Sequence, residues 1–236
     1  MKKFILTFAI LTWVFTGCEE TQHGPSTDNV SKYPRDVAIK WINLQQKLIK
    51  KTSGFDPPVS GRSFAYSGLT LYEAVVKGMP GYNSVALPLI GDNFNALPDG
   101  QVIDWAASAN AAMAFILKNL FASTSEANKT TIDSLESALN SEYTSESTAE
   151  IVTASGEYGR KIANSIFEWS KGDGGHEAYK GAIDNSYVVP TGPGLWVPTP
   201  PALSPPIRPS WGNNRSFVPN SAVSTDQGPP ISYRLP

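Results

Sequence analysis

A single cysteine stands in 236 residues, so no internal disulfide can form. The two histidines, His23 and His176, join it without making up a ligand set, and the sequence predicts no metal site. Charged residues make up 17%, below the usual quarter, and the net charge is −2 with no basic block. Nucleic-acid binding therefore lacks electrostatic support. No apolar run reaches the roughly 20 residues of a membrane-spanning helix, leaving an anchor as the one expected membrane contact. There is no Gly-x-Ser-x-Gly elbow beside His176. The glycines Gly172-Asp173-Gly174-Gly175 have no preceding strand and no following Lys-Ser/Thr, which excludes a phosphate loop.

The chain opens on Met1-Lys2-Lys3, an apolar run from Phe4 to Phe15, and Thr16-Gly17-Cys18. A basic start, an apolar stretch and a small residue before the cut make an export signal over 1–17. Phe15-Thr16-Gly17-Cys18 resembles the lipobox of bacterial lipoproteins, with Phe15 and Thr16 in place of the usual Leu and Ala/Ser. Cys18 is then the expected lipid-attachment residue. Glu19-Glu20 resembles the acidic tag of surface-displayed Bacteroidetes lipoproteins. The expected location is the bacterial cell envelope, lipid-anchored at the outer membrane or cell surface. Residues 18–34 are polar and aperiodic, and read as a flexible tether.

Residues 35–172 carry helical periodicity and predict a mainly α bundle of about five helices. The first runs over Asp36–Lys51, with Asp36 placed to cap it and Gly54 and Pro57-Pro58 to stop it. The second covers Val59–Val76, with Gly78 and Pro80 beyond its end. The third, Asp104–Phe121, is apolar nearly all round and belongs at the centre. Ser123-x-x-Glu126 and Ser147-x-x-Glu150 have capping-box spacing and open the fourth and fifth, the fifth stopping at Gly172. Asp133 and Glu136 read as a solvated helix face. The remainder is long enough for one domain with a real core.

From 173 to 236 the character changes. Twelve of the 19 prolines lie between Pro190 and Pro236, where neither helix nor central strand can persist. Tyr187, Leu195, Trp196, Trp211 and Phe217 interrupt them. Large aromatics among prolines predict an ordered, irregular strap over the bundle or over a missing part, with Trp196, Trp211 and Phe217 forming an exposed apolar patch.

Two short stretches gather polar groups. Gly172-Asp173-Gly174-Gly175-His176-Glu177 suits a C-cap loop whose polar groups satisfy backbone atoms, or else the rim of an anion site. Trp211-Gly212-Asn213-Asn214-Arg215 reads as a turn, or as an anion contact. Asp173, His176 and Arg215 are accordingly the candidate anion-rim residues. No buried acid/base pair is visible, and no catalytic residue is assigned.

Longer strings carry a resemblance. They are Asp36-Val37-Ala38-Ile39-Lys40-Trp41, Gly54-Phe55-x-Pro57-Pro58-Val59, Arg62-x-Phe64-Ala65-Tyr66, Leu69-Thr70-Leu71-Tyr72-Glu73-Ala74-Val75 and Gly78-Met79-Pro80. Later come Ile166 to Lys171 with Asp173-Gly174-Gly175-His176-Glu177-x-Tyr179, Gly192-Pro193-Gly194-Leu195-Trp196-Val197-Pro198-Thr199-Pro200-Pro201 and Trp211 to Arg215. From about Asp36 to Phe217 the chain resembles the N-terminal half of Bacteroidetes lipoproteins of the vanadium-dependent haloperoxidase and type 2 phosphatidic acid phosphatase (PAP2) superfamily. The resemblance implies a helical bundle. In complete members it implies vanadate or phosphate binding, with halide oxidation or phosphoester hydrolysis.

The superfamily's oxyanion motifs are Lys-x6-Arg-Pro, Pro-Ser-Gly-His and Ser-Arg-x5-His. Here Arg208-Pro209 has Pro201 where the lysine belongs, His176 follows Gly-Gly, and no later Arg/His pair stands. The chain alone is therefore expected to bind no cofactor and to be inactive, with a C-terminal catalytic half as its expected partner. The alternative is a complete, non-catalytic surface lipoprotein that binds a partner or glycan through its aromatic segment.

Overall fold

The computed structural model describes residues 29–91, 94–97 and 99–218. The expected signal, Cys18, the Glu19-Glu20 pair and His23 lie outside the described residues. Six helices stand among those described: α1 (Asp36–Lys51), α2 (Pro57–Glu73), α3 (Leu87–Ile90), α4 (Trp105–Leu120), α5 (Glu126–Glu146) and α6 (Ala149–Lys171). The fold is mainly α, as the periodicity predicts. An isolated antiparallel bridge, Ile183 with Ile207, is the extended pairing among the described residues.

α4 is the central helix, packed by α1, α2, α5 and α6. Of its sixteen residues only Phe115, Lys118 and Asn119 escape burial. Alanines and Ser108 keep its surface low, so α6 lies very close. A Cβ added at Gly159 of α6 would sit 2.1 Å from the Ser108 carbonyl oxygen. Several polar side chains inside the bundle are paired across helices, as burial favours, while Trp105 Nε1 is buried without a hydrogen-bond partner. Trp41 Nε1 of α1 donates to Asn110 Oδ1 at 2.9 Å, and Asn110 Nδ2 donates to the Glu136 carbonyl and to Asn140 Oδ1, both at 3.0 Å. One buried amide thus joins α1, α4 and α5.

Several boundaries differ from expectation, each for a local reason. Asp36 occupies the first helical position, and the residue before it, Arg35, makes no side-chain cap. Pro57-Pro58 starts α2 rather than merely stopping α1. Asp56 accepts from Val59 N, and prolines suit the first positions, where no N–H is needed. The same helix ends at Glu73, short of Val76. The Glu73 carboxylate turns inward to accept from Val85 N, Ala86 N and Asn95 Nδ2, and the chain tightens into a 3-10 turn at Val76–Gly78. The short α3 has too few residues for a period to show.

The two capping boxes are also displaced. Ser125, not Ser123, caps α5 by accepting from Asn128 N, and Thr148, not Ser147, caps α6 by accepting from Ile151 N. Glu136 is buried instead of solvated: Lys118 and Arg160 reach it at 2.9 and 2.6 Å, linking α4, α5 and α6. The last residues of the expected tether, 29–34, are not a free linker. Val30–Lys32 forms a 3-10 turn, Val30 and Tyr33 pack against the core, and Tyr33 Oη donates to the Ile103 carbonyl at 3.4 Å.

Candidate functional site

The candidate site lies where the start of α2 meets the ends of α4 and α6 and the segment beyond α6 folds back. Arg62 and Tyr66, one turn apart on α2, share a face toward the end of α6. There Gly172 ends the helix and Gly174, at φ +90°, turns the chain where a side chain would be strained. Asp173 is carried inward by this turn and is 6% exposed. Its Oδ2 accepts from Arg62 Nε at 2.8 Å and from Tyr66 Oη at 2.7 Å, and its Oδ1 accepts from Gly175 N at 2.7 Å. Arg62 Nη2 donates in turn to the Ser170 carbonyl at 2.9 Å. Burial first, then the bond to Asp173, push the Tyr66 phenol far above the usual tyrosine range. It stays a protonated donor at any physiological pH.

Arg215 joins the same network from the strap. Its backbone N–H donates to the Asp173 carbonyl at 2.8 Å, and its Nη2 donates to the Trp169 carbonyl at 2.8 Å. The guanidinium carbon lies 3.9 Å from the centre of the Trp169 ring. A cation on the last carbonyls of a helix also complements its dipole. Phe217 then packs on Tyr66 and Trp169. The expected exposed patch is correspondingly smaller: Phe217 is half-buried here, and Trp211 is half-buried with Arg208 over its ring. Trp196 remains half exposed, beside exposed Leu195 and Val197.

A second clamp holds the strap further back. Arg208, in the left-handed region at φ +50°, donates through Nε to Asp56 and through Nη1 to the carbonyls of Ala178 and Gly181, at 2.7 Å each. The Arg-Pro pair is thus a structural clip on α2.

Between the two clamps lies a cleft of about 290 Å³. Phe55, Val59, Leu120 and Phe167 give it apolar walls, and Lys171, His176, Glu177 and Tyr179 stand among its lining. His176 presents its ring edge-to-face with Phe167. A second hollow of about 250 Å³ lies across the 174–182 loop, where His176 and Ala178 are shared and Arg208, Trp211 and Asn214 close the other side.

Of the three candidates read from sequence, the structure joins Asp173 and Arg215 in one network and sets His176 apart, in the cleft. Arg62, Tyr66, Asp56 and Arg208 were not among the candidates read from sequence, although Arg62, Tyr66 and Arg208 stand in strings weighed for the resemblance. The Arg62-x-x-x-Tyr66 spacing, which places the two side chains one turn apart on a single helix face, was the available signal. Among the described residues no group of three His, Cys, Asp or Glu is placed to hold a metal. No helix of the described residues is long and apolar enough to cross a membrane. No family model, curated protein or solved structure matches the chain.

Proposed function

We propose that this chain is the helical, non-catalytic N-terminal part of an exported, lipid-anchored protein resembling the vanadium haloperoxidase and PAP2 superfamily. In this reading the bundle is a scaffold, and its strap is the face against which a catalytic part folds. The observation that carries it is the employment of the arginines around the helix ends. Arg62 is bound to Asp173 and Ser170, Arg208 to Asp56 and two carbonyls, and Arg215 to Trp169. A tetrahedral oxyanion needs several cationic donors converging on one point. These three arginines converge on protein groups instead, which supports reading them as scaffold and not as an oxyanion site.

The test uses the full chain, alone and co-expressed with the polypeptide encoded directly downstream. Bromide oxidation with vanadate and peroxide, and hydrolysis of p-nitrophenyl phosphate, are both measured. The expected result is no turnover by the chain alone, and a stable complex when the downstream part is present. Steady turnover by the chain alone, abolished by His176→Ala, would overturn the reading. A chain active in neither setting that still retains glycans on a carbohydrate array, and loses them in Trp196→Ala, would favour the alternative binding protein. Anchoring is tested separately: Cys18→Ser is expected to leave the product unprocessed or outside the membrane fraction, and surface display is tested by protease shaving of whole cells.

A further inference from the structure

We propose that the cleft between α2, α4, α6 and the 174–182 loop binds a small organic monocarboxylate, its apolar body inward and its carboxylate against Lys171 and His176. The size comes first. About 290 Å³ lies at the lower edge of ligand-pocket volumes, which suits a ring or short aliphatic body and excludes a large ligand. Phe55, held between Phe121 and Tyr179 in a stack with centroids 4.2 and 5.8 Å away, fixes one wall rigidly. Phe167, Val59 and Leu120 supply the rest of the apolar surface.

The polar end selects the charge. Arg62 lines the cleft but is neutralised by buried Asp173, so it offers packing rather than free charge. Lys171 is paired with Glu168 one turn away, both half exposed. Such surface pairs are worth little and exchange readily, leaving the ammonium able to turn to a ligand. His176 adds a ring N–H to the same lining, its ring inclined at 68° to that of Phe167. Glu177 stands on the same lining, and its hydrogen bond from Lys180 holds its carboxyl below the usual range, so it is ionised. A carboxylate at the rim repels a dianion about twice as strongly as a monoanion. The combination of apolar walls, one exchangeable cation and one fixed anion therefore fits a monocarboxylate better than a phosphate.

Saturation-transfer NMR on the full chain in detergent, with sodium benzoate, benzyl alcohol and inorganic phosphate as probes, tests this directly. Benzoate is expected to bind saturably with a Kd of about 1 mM, and the two other probes far more weakly. Lys171→Gln and His176→Gln, both at the surface, are expected to weaken benzoate about fivefold each. Glu177→Gln should tighten benzoate modestly and phosphate more, so that phosphate begins to compete. Ala122→Trp, at an exposed lining position, should close the cleft without touching the core. Circular-dichroism melts of each variant confirm folding. No saturable benzoate binding, equal binding of benzyl alcohol, tighter binding of phosphate, or indifference to both Lys171→Gln and His176→Gln would each overturn the assignment.

Discussion

Arg208 reaches 152 positions back along the chain to Asp56, its Nε lying 2.7 Å from Oδ2 and 3.0 Å from Oδ1. The guanidinium side chain is only 5% exposed. One carboxylate thus starts α2 and secures the strap at the same time. The two roles can be separated. Asp56→Asn should keep the cap, since asparagine is as good at that position, yet weaken the clip. Arg208→Ala should leave Asp56 facing a gap and cost about 2–5 kcal/mol, felt locally in the strap. Hydrogen exchange at Arg208 N, which donates to the Ala182 carbonyl, is the measurement. Unchanged exchange in both variants would show that the strap is held elsewhere.

Asp173 is the single anion of the other clamp and answers three donors. Asp173→Ala would leave Arg62 with a buried, unpaired charge, and should cost about 3–5 kcal/mol in urea unfolding. Tyr66→Phe keeps the ring against Trp169 and Phe217 and removes one charge-assisted bond, worth about 1.5–3 kcal/mol. The ranking is the sharp part of the forecast. Equal midpoints for the two variants would mean that the Arg62–Asp173 pair contributes nothing beyond the phenol's hydrogen bond.

The helices were legible because their signals are local. The nearly all-apolar Trp105–Leu120 stretch identified the central helix, and alternation never competed with the 3.6-residue period. Where a hydroxyl was the signal, position was ambiguous: Thr124, Ser125, Ser147 and Thr148 all sit near a helix start, and only geometry decides which one caps. The burial of Glu136 was illegible for a different reason. Its partners, Lys118 and Arg160, come from two other helices, and no spacing in α5 announces them. The candidate site shows both cases. Asp173 and Arg215 stood out from their glycine- and asparagine-rich turns. Arg62 and Tyr66 stood out only as part of a resemblance string and carried no site role, since that role depends on a carboxylate more than a hundred residues away.

The approach of α4 and α6 rests on the absence of one methyl group. Gly159→Ala would place its Cβ 2.1 Å from the Ser108 carbonyl oxygen, which is backbone and cannot swing aside. The helices must separate, and overpacking of this kind costs about 1–3 kcal/mol or more. Gly156→Ala, one turn earlier, meets first the end of the half-exposed Arg160 side chain at 3.2 Å, whose other nitrogen donates to Glu136, and then Ala111 Cβ at 3.5 Å. It should be neutral or mildly stabilising, because alanine is the better helix former by about 1 kcal/mol. Thermal melts of the pair decide it, and a Gly159→Ala protein that melts with the parent would mean that α4 and α6 can separate at little cost.

Asp104 caps α4 at a buried position, and its charge and its capping role pull in opposite directions. The carboxylate accepts from Ala107 N at 2.8 Å, while the residue is 5% exposed. Burial, the largest cause, outweighs the capping bonds and raises its pKa above the ordinary aspartate value. The folded chain therefore holds this proton more tightly than the unfolded one. By linkage, the wild type loses stability as pH rises from the unfolded value of about 3.9 through the raised folded value, and the loss levels off above it. Asp104→Asn accepts the same Ala107 bond without a charge to desolvate, so it escapes that loss. The variant is expected to melt above the parent at pH 7, with the gap closing as the pH approaches about 4. Paired melts across that range measure the gap. A variant that melts below the parent at pH 7 would mean that attraction between the ionised carboxylate and the helix dipole exceeds the cost of burying it.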